Sequence, residues 1–331
     1  GVYCCDFRSK NIQSFRYQNI KALTNEEYRT FLKKAWQLLG RAELVDFKPN
    51  WKPIDEIPFH ESFDKIKQAI DSGWISKAVP IAYQKATMDQ FSFIDLSKKI
   101  SFLYKLTSAH SNLIPYGQWT SEQGFMGITP EVLFDLEGRV LSSMALAGTS
   151  TKTTEVESFL ADPKERQEHQ IVVNDIAEKL KEFGELHLGH TQVYELPFFN
   201  HLKTNVIVNL KEEVSFIKLL TQMHPTSALG IYPNNDYWNE FINLPNQKER
   251  KNFGAPWGFK LGSKSFFLVS IRRLEWDSHQ VVIPAGCGVV AQSDFDKELA
   301  EVQRKINSVK KFFEEPSLLV SRSYKEYELN E

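Results

Sequence analysis

Apolar residues in KELAEVQRKINSVKKFF (297–313) recur at steps of three and four: Leu299, Val302, Ile306, Val309 and Phe313. That spacing predicts a helix with one buried stripe, and at about 100° per residue Glu298, Glu301 and Lys305 fall on one flank of it. The same logic predicts helices over 24–40, 61–74, around 95–109, over 161–184, around 214–222 and near 236–243. Punctuation supports two of them. Thr24 with Glu27 reads as a capping box closed by Gly40. Asp162, Pro163 and Glu165 read as cap, first position and box residue of a helix that Gly184 ends. Runs rich in β-formers predict strands at 75–86, 117–129, 131–146, 192–198, 205–210, 265–276 and 280–290, with a turn at Glu137-Gly138-Arg139. Pro80 marks its run as an edge strand or a bulge. Strands mixed with separated helices, without a repeat or a regular βαβ alternation, predict an α+β fold.

Composition narrows the function classes. The chain has 331 residues, 42% hydrophobic and 25% charged, with net charge −2. Those are values of an ordinary globular protein. A near-neutral balance offers no electrostatic reason to expect nucleic acid or an acidic membrane. No apolar run reaches the ~18 residues of a membrane helix, and the first residues lack a signal pattern. Three cysteines, Cys4, Cys5 and Cys287, form no disulfide framework and point to a reducing cytoplasm; the adjacent pair reads as strand residues.

Several positions could carry chemistry, each beside a plainer role. Glu168 has no cation four residues on, since Val172 is apolar; a pairing with Glu301 would have to come through the fold. Two such carboxylates, with water and substrate oxygens, are what Mg²⁺ takes. Glu165 already has a structural job as the box residue. Lys77 lies in a β-rich run, where a lysine more often faces solvent; buried near another cation it could serve as a base. Glu131 follows Pro130 at a strand start, either a loop edge or an acid with a raised pKa. AGTS and AGCG are glycine turns that let backbone N–H groups approach a carboxylate. His187 and His190 could be half a zinc site, but no cysteine is near them in sequence. Phosphate loops and dinucleotide fingerprints are absent.

Taken in order, GITPEVLF, MALAGTS, DPKERQEHQIVV, HPTSALG, GAPWGF, IRR, IPAGCGVV and ELAEVQRKI resemble the successive blocks of the chorismate-utilising enzymes. That family includes isochorismate synthase, salicylate synthase and the synthase components of the anthranilate and aminodeoxychorismate pathways. The resemblance runs from about 57 to 313. It implies a family fold of large antiparallel sheets packed as a sandwich with helices outside, and one structural domain. Residues 1–56 would be a short N-terminal segment, 57–315 the catalytic core and 316–331 a tail.

Position by position, the resemblance implies roles. Lys77 would activate water for attack at ring C2, Glu131 would protonate the departing C4 hydroxyl, and His201 would sit near C4. Glu168 and Glu301 would hold Mg²⁺, with Glu165 and Glu298 in support. Arg272, Lys305, Gly148, Thr149, Ala228, Leu229 and Gly286 would bind substrate. Lys77, and the absence of a lysine in Ala145–Thr149, favour the isochorismate-synthase type. The alternatives are a salicylate synthase, which also eliminates pyruvate, and an aminating component that works with a glutaminase subunit. The expected partner is chorismate alone, on a monomer or weak dimer in the cytoplasm.

Overall fold

The computed structural model describes residues 1–8, 11–39, 47, 49–87, 95–107 and 109–314. Gly40, expected to end the first helix, and the 316–331 tail lie outside them. Two large antiparallel sheets dominate. The nine-stranded sheet runs Gly184–Leu188, Phe199–Leu210, Val140–Thr151, Val132–Glu137, Lys264–Val269, Pro256–Leu261, Val2–Cys5 and Ile12–Phe15, with Gln192–Glu195 also paired to Phe199–Leu210. The six-stranded sheet runs Asn50–Trp51, Ile81–Thr87, Gln280–Gly286, Arg273–Trp276, Gly124–Thr129 and Ile114–Trp119. This is the α+β architecture with large antiparallel sheets that the sequence predicts.

One continuous apolar core takes Phe134, Val206 and Phe267 from the larger sheet and Ala82, Leu274 and Ile283 from the smaller. Val172 and Ile176 join it from the helix Pro163–Leu180, and Val302 and Ile306 from the helix Phe295–Glu314. All five residues of the predicted stripe are buried there. Each fully buried aliphatic contributes about 1.5–3 kcal/mol, so this face holds the last helix in place whatever its flank does. Among the described residues, no helix is long and apolar enough to cross a membrane.

Several boundaries differ from the pattern-based expectation. The second helix spans Glu56–Asp71, capped by Asp55, and takes in Pro58, because proline is tolerated in a first turn. Gly184 does not end its helix, which stops at Leu180; it opens a strand instead, where a Cβ would strike the Asn209 backbone. The strand expected over 75–86 is interrupted at Val79-Pro80, and its longer part, Ile81–Thr87, lies inside the sheet and not at an edge. The single strand expected over 265–276 is two strands in different sheets. Pro256–Leu261 and Gly184–Leu188 are strands that no pattern predicted.

Candidate functional site

The site forms where the first turn of the helix Pro163–Leu180, which packs on Val140–Thr151, meets the helix Phe295–Glu314, which packs on Gln280–Gly286. Two backbone irregularities aim side chains into it. His201 pairs with Thr149 but Leu202 pairs with Ala147, which leaves Gly148 as a bulge with φ of 75°. A side chain at 148 would crowd Glu165, so glycine lets the strand reach the helix's first turn. The second irregularity is the passage from the larger sheet to the smaller at Ser270–Arg272, where Arg272 takes φ of 55°. A left-handed arginine is a strained conformation of the kind found at functional sites.

A directional chain of hydrogen bonds starts at that arginine. Arg272 Nη2 lies 3.2 Å from His201 Nε2, and Arg272 Nη1 donates to Ser308 Oγ at 3.3 Å. Because a guanidinium only donates, Nε2 must accept, so the proton sits on Nδ1 and goes to Gly148 O at 3.0 Å. Thr149 Oγ1, 3.2 Å from Nδ1, donates onward to Glu301 Oε1 at 3.2 Å. Burial and the neighbouring Arg272 push the His201 pKa down to about 3. His201 is therefore held neutral, with its tautomer fixed by Arg272 and Gly148 O.

The glutamates divide into two sets. Burial alone would raise Glu168, but Lys77, Lys164 and Lys305 outweigh it and hold the carboxyl at about 2. Burial likewise opposes ionisation of Glu301, yet Lys305, 2.6 Å away, and Lys164 keep it low. Burial carries Glu165 up to about 7, aided by Glu168, and raises Glu298, aided by Glu301. Glu131 is 4% exposed; burial lifts it to about 8 against the pull of Lys77 and Lys305.

The capping box read at Asp162 is half made. Asp162 accepts from Glu165 N at 3.0 Å, but its own N–H bonds Phe159 O. The Glu165 carboxylate instead accepts from Thr149 N at 2.7 Å and meets Lys164 at 3.1 Å. Lys164 is the residue that sequence reasoning missed. It stands four positions before Glu168, on the opposite side in sequence from Val172. Lys77 is fully buried, 3.2 Å from Glu168 Oε1 in a contact not aligned as a hydrogen bond. Gly288 makes that pair possible, since a Cβ there would collide with both side chains.

All the predicted site positions converge on this region. Glu131, Gly148, Thr149, Glu168, His201, Ala228, Leu229, Arg272, Gly286 and Lys305 line one cavity of about 70 Å³. Glu165, Glu298 and Glu301 line a neighbouring one of about 460 Å³ that shares Thr149. A third, apolar cavity of about 200 Å³ shares Pro130 and Arg272. Lys305 also donates to Gly286 O at 2.8 Å. The described residues hold no closed cage of three or more histidine, cysteine or acidic side chains. Mg²⁺ needs less, one or two carboxylates plus other oxygens, and Glu168 and Glu301 offer such a hard, ionised donor set. A buried Glu298 Oε2 without a hydrogen-bond partner is a further oxygen free to support it.

Comparison with known proteins gives the chain its family. Residues 10–314 match the family described as chorismate binding enzyme, and the chain belongs to that family. It is 28% identical over 203 residues to the isochorismate synthase MenF of Haemophilus influenzae, covering 59% of this chain and 47% of that protein. It is 33% identical over 205 residues to isochorismate synthase 2, chloroplastic, of Arabidopsis thaliana, covering 59% and 36%. The chain thus spans about half the length, or less, of these curated relatives. The fold of the menaquinone-specific isochorismate synthase MenF from Escherichia coli superposes with a TM-score of 0.70 at 22% identity, covering 81% of this chain and 63% of that one.

Proposed function

We propose that this chorismate-binding enzyme is an isochorismate synthase: water adds at C2 of chorismate, the C4 hydroxyl leaves, and the ring double bonds shift between them. The observation that carries the reading is a buried lysine, Lys77, set 3.2 Å behind Glu168 at the wall of the cavity that Glu131, a buried carboxyl pushed up to about 8, also lines. The Lys77 nitrogen takes a proton from the attacking water as the O–C2 bond forms. Glu131, still protonated near neutral pH, gives its proton to the departing oxygen as the C4–O bond breaks, so a water molecule leaves. No electron acceptor is needed, because substrate and product are isomers. The relatives above carry the isochorismate synthase name, which supports this subtype.

Glu168 and Glu301 would hold Mg²⁺, with Glu165 and Glu298 beside them. When bound, the metal would neutralise and orient the ring carboxylate. Arg272, fixed by Ser308 and His201, would bind the enolpyruvyl carboxylate, and Lys305 the ring carboxylate. The product chromatogram of chorismate with the purified protein, with and without Mg²⁺ and ammonium, tests the assignment. Isochorismate formed only with Mg²⁺ is expected. Salicylate plus pyruvate would move the protein to the eliminating type, and an ammonium-dependent aromatic amine would overturn the water reading. Lys77→Ala should abolish turnover while chorismate still binds; undiminished turnover would remove Lys77 as the base.

A further inference from the structure

The carboxylate cluster holds a cation of the chain's own. Lys164 Nζ lies 3.1 Å from Glu165, 3.2 Å from Glu168 and 3.1 Å from Glu298. The fourth carboxylate, Glu301, is held at 2.6 Å by Lys305. One ammonium therefore touches three of the four groups that would hold or flank Mg²⁺. A magnesium ion draws its oxygens to about 2.0–2.1 Å. Glu168 already has Lys77 at 3.2 Å on Oε1 and Lys164 at 3.2 Å on Oε2, so a metal taking that carboxylate is repelled by an ammonium a few ångströms away. Of the three lysines on this cluster, Lys77 and Lys305 each pair with one carboxylate, and Lys164 alone pairs with three.

Lys164 has somewhere to go. It stands in the first turn of its helix and lines the 460 Å³ cavity, whose wall carries Asp162, Asp294 and Asp296 along with Lys297 and Arg304. We propose that Lys164 is a built-in competitor for the metal: its ammonium neutralises the carboxylate cluster until Mg²⁺ enters, then swings outward into the acidic cavity. This inference rests on the Mg²⁺ site proposed above. It gives the chain a cluster of buried glutamates that stays folded without metal, and it lowers metal affinity so that loading follows the free Mg²⁺ concentration.

Calorimetric titration of Mg²⁺ into the full chain without chorismate is the first measurement. Lys164→Gln should bind Mg²⁺ at least tenfold more tightly than the wild type. Its metal-free Tm should be lower, and added Mg²⁺ should raise that Tm by more than it raises the wild-type value. Losing a nearby positive charge would tighten binding even without overlap, so a second readout on the wild type separates the cases. Acetylation of Lys164, followed by mass spectrometry, should increase several-fold when Mg²⁺ is added. A lysine that merely neighbours the metal would be protected or unchanged. If Mg²⁺ binds the wild type but Lys164 becomes no more reactive, the competitor role is overturned while the metal site stands. If neither protein binds Mg²⁺, the metal site itself falls, and the competitor with it. Should Lys164→Gln fail to fold, the acetylation result decides alone.

Discussion

Glu131→Gln should make this protein more stable and inactive, with the stability gain appearing only as pH rises. Burial raises the Glu131 pKa from 4.5 to about 8, more than Lys77 and Lys305 lower it. At about 1.4 kcal/mol per pH unit, that displacement corresponds to about 5 kcal/mol favouring the protonated form. The sign follows from proton counting. Between about pH 4.5 and 8 the folded chain keeps a proton that the unfolded chain has lost, so the contribution to stability is full below 4.5 and falls as pH rises towards 8. Glutamine cannot ionise and escapes that loss. In urea unfolding, the variant should exceed the wild type by about 1 kcal/mol at pH 5.5 and by about 5 kcal/mol at pH 8.5, with solvent entry reducing the larger figure. Chorismate turnover should be lost in the variant, and wild-type turnover should decline above about pH 8 as the acid deprotonates. A stability gap that does not change between the two pH values would refute the buried neutral carboxyl. Retained turnover in the variant would refute its role as the acid.

Two further substitutions probe the frame around the site. Gly288→Ala places a methyl group against Glu168 Oε1 and Lys77 Cε, so turnover should fall at least a hundredfold in steady-state assays with the circular dichroism spectrum unchanged. Asp175, 3% exposed, accepts from Ser227 N at 2.7 Å and pairs with Lys179 at 2.9 Å, fixing the loop that carries Ala228 and Leu229. Asp175→Ala should cost about 1–3 kcal/mol in urea unfolding and raise KM, since it leaves the buried Ser227 N without its acceptor while Lys179 keeps Pro225 O.

Periodicity and capping were enough to place the two helices that build the site, because each has a one-sided apolar stripe or an unambiguous first turn. The ordered blocks then named the side chains that meet between them. What stayed hidden depends on contacts between distant segments. SFFLVSIRRLEW reads as one strand since all of it is β-forming; only the left-handed backbone at Arg272 shows where the chain changes sheets. The motif D-x-x-E at Asp162 is equally compatible with a closed box and an open one. The bulge at Gly148 decides, by bringing Thr149 N close enough to take the Glu165 carboxylate. Gly184 is a glycine after a helix and looks like a stop, although its smallness serves the pairing with Asn209 and Leu210.

The flank of the last helix shows how one local pattern acquires different chemistry. Glu301 and Lys305 form the i,i+4 pair that spacing alone predicts, and on a surface such a pair would contribute a few tenths of a kcal/mol. Here both side chains are largely buried, and the pair's effect is to decide which glutamate stays charged. Glu301 beside Lys305 and Glu168 beside Lys77 and Lys164 are held ionised, the state that the proposed metal site requires. Glu131 forms no ion pair among the described residues, and burial raises it to about 8 against the weaker pull of Lys77 and Lys305, the state that the proposed acid requires. Arg272 and Lys305 line the cavity of about 70 Å³ together with Glu131 and Glu168, which gives an anionic substrate two cations to meet although the whole chain carries a net charge of −2. Lys164 also touches Glu165 and Glu298, yet both stay raised, because burial and a charged neighbouring glutamate outweigh that one shared ammonium.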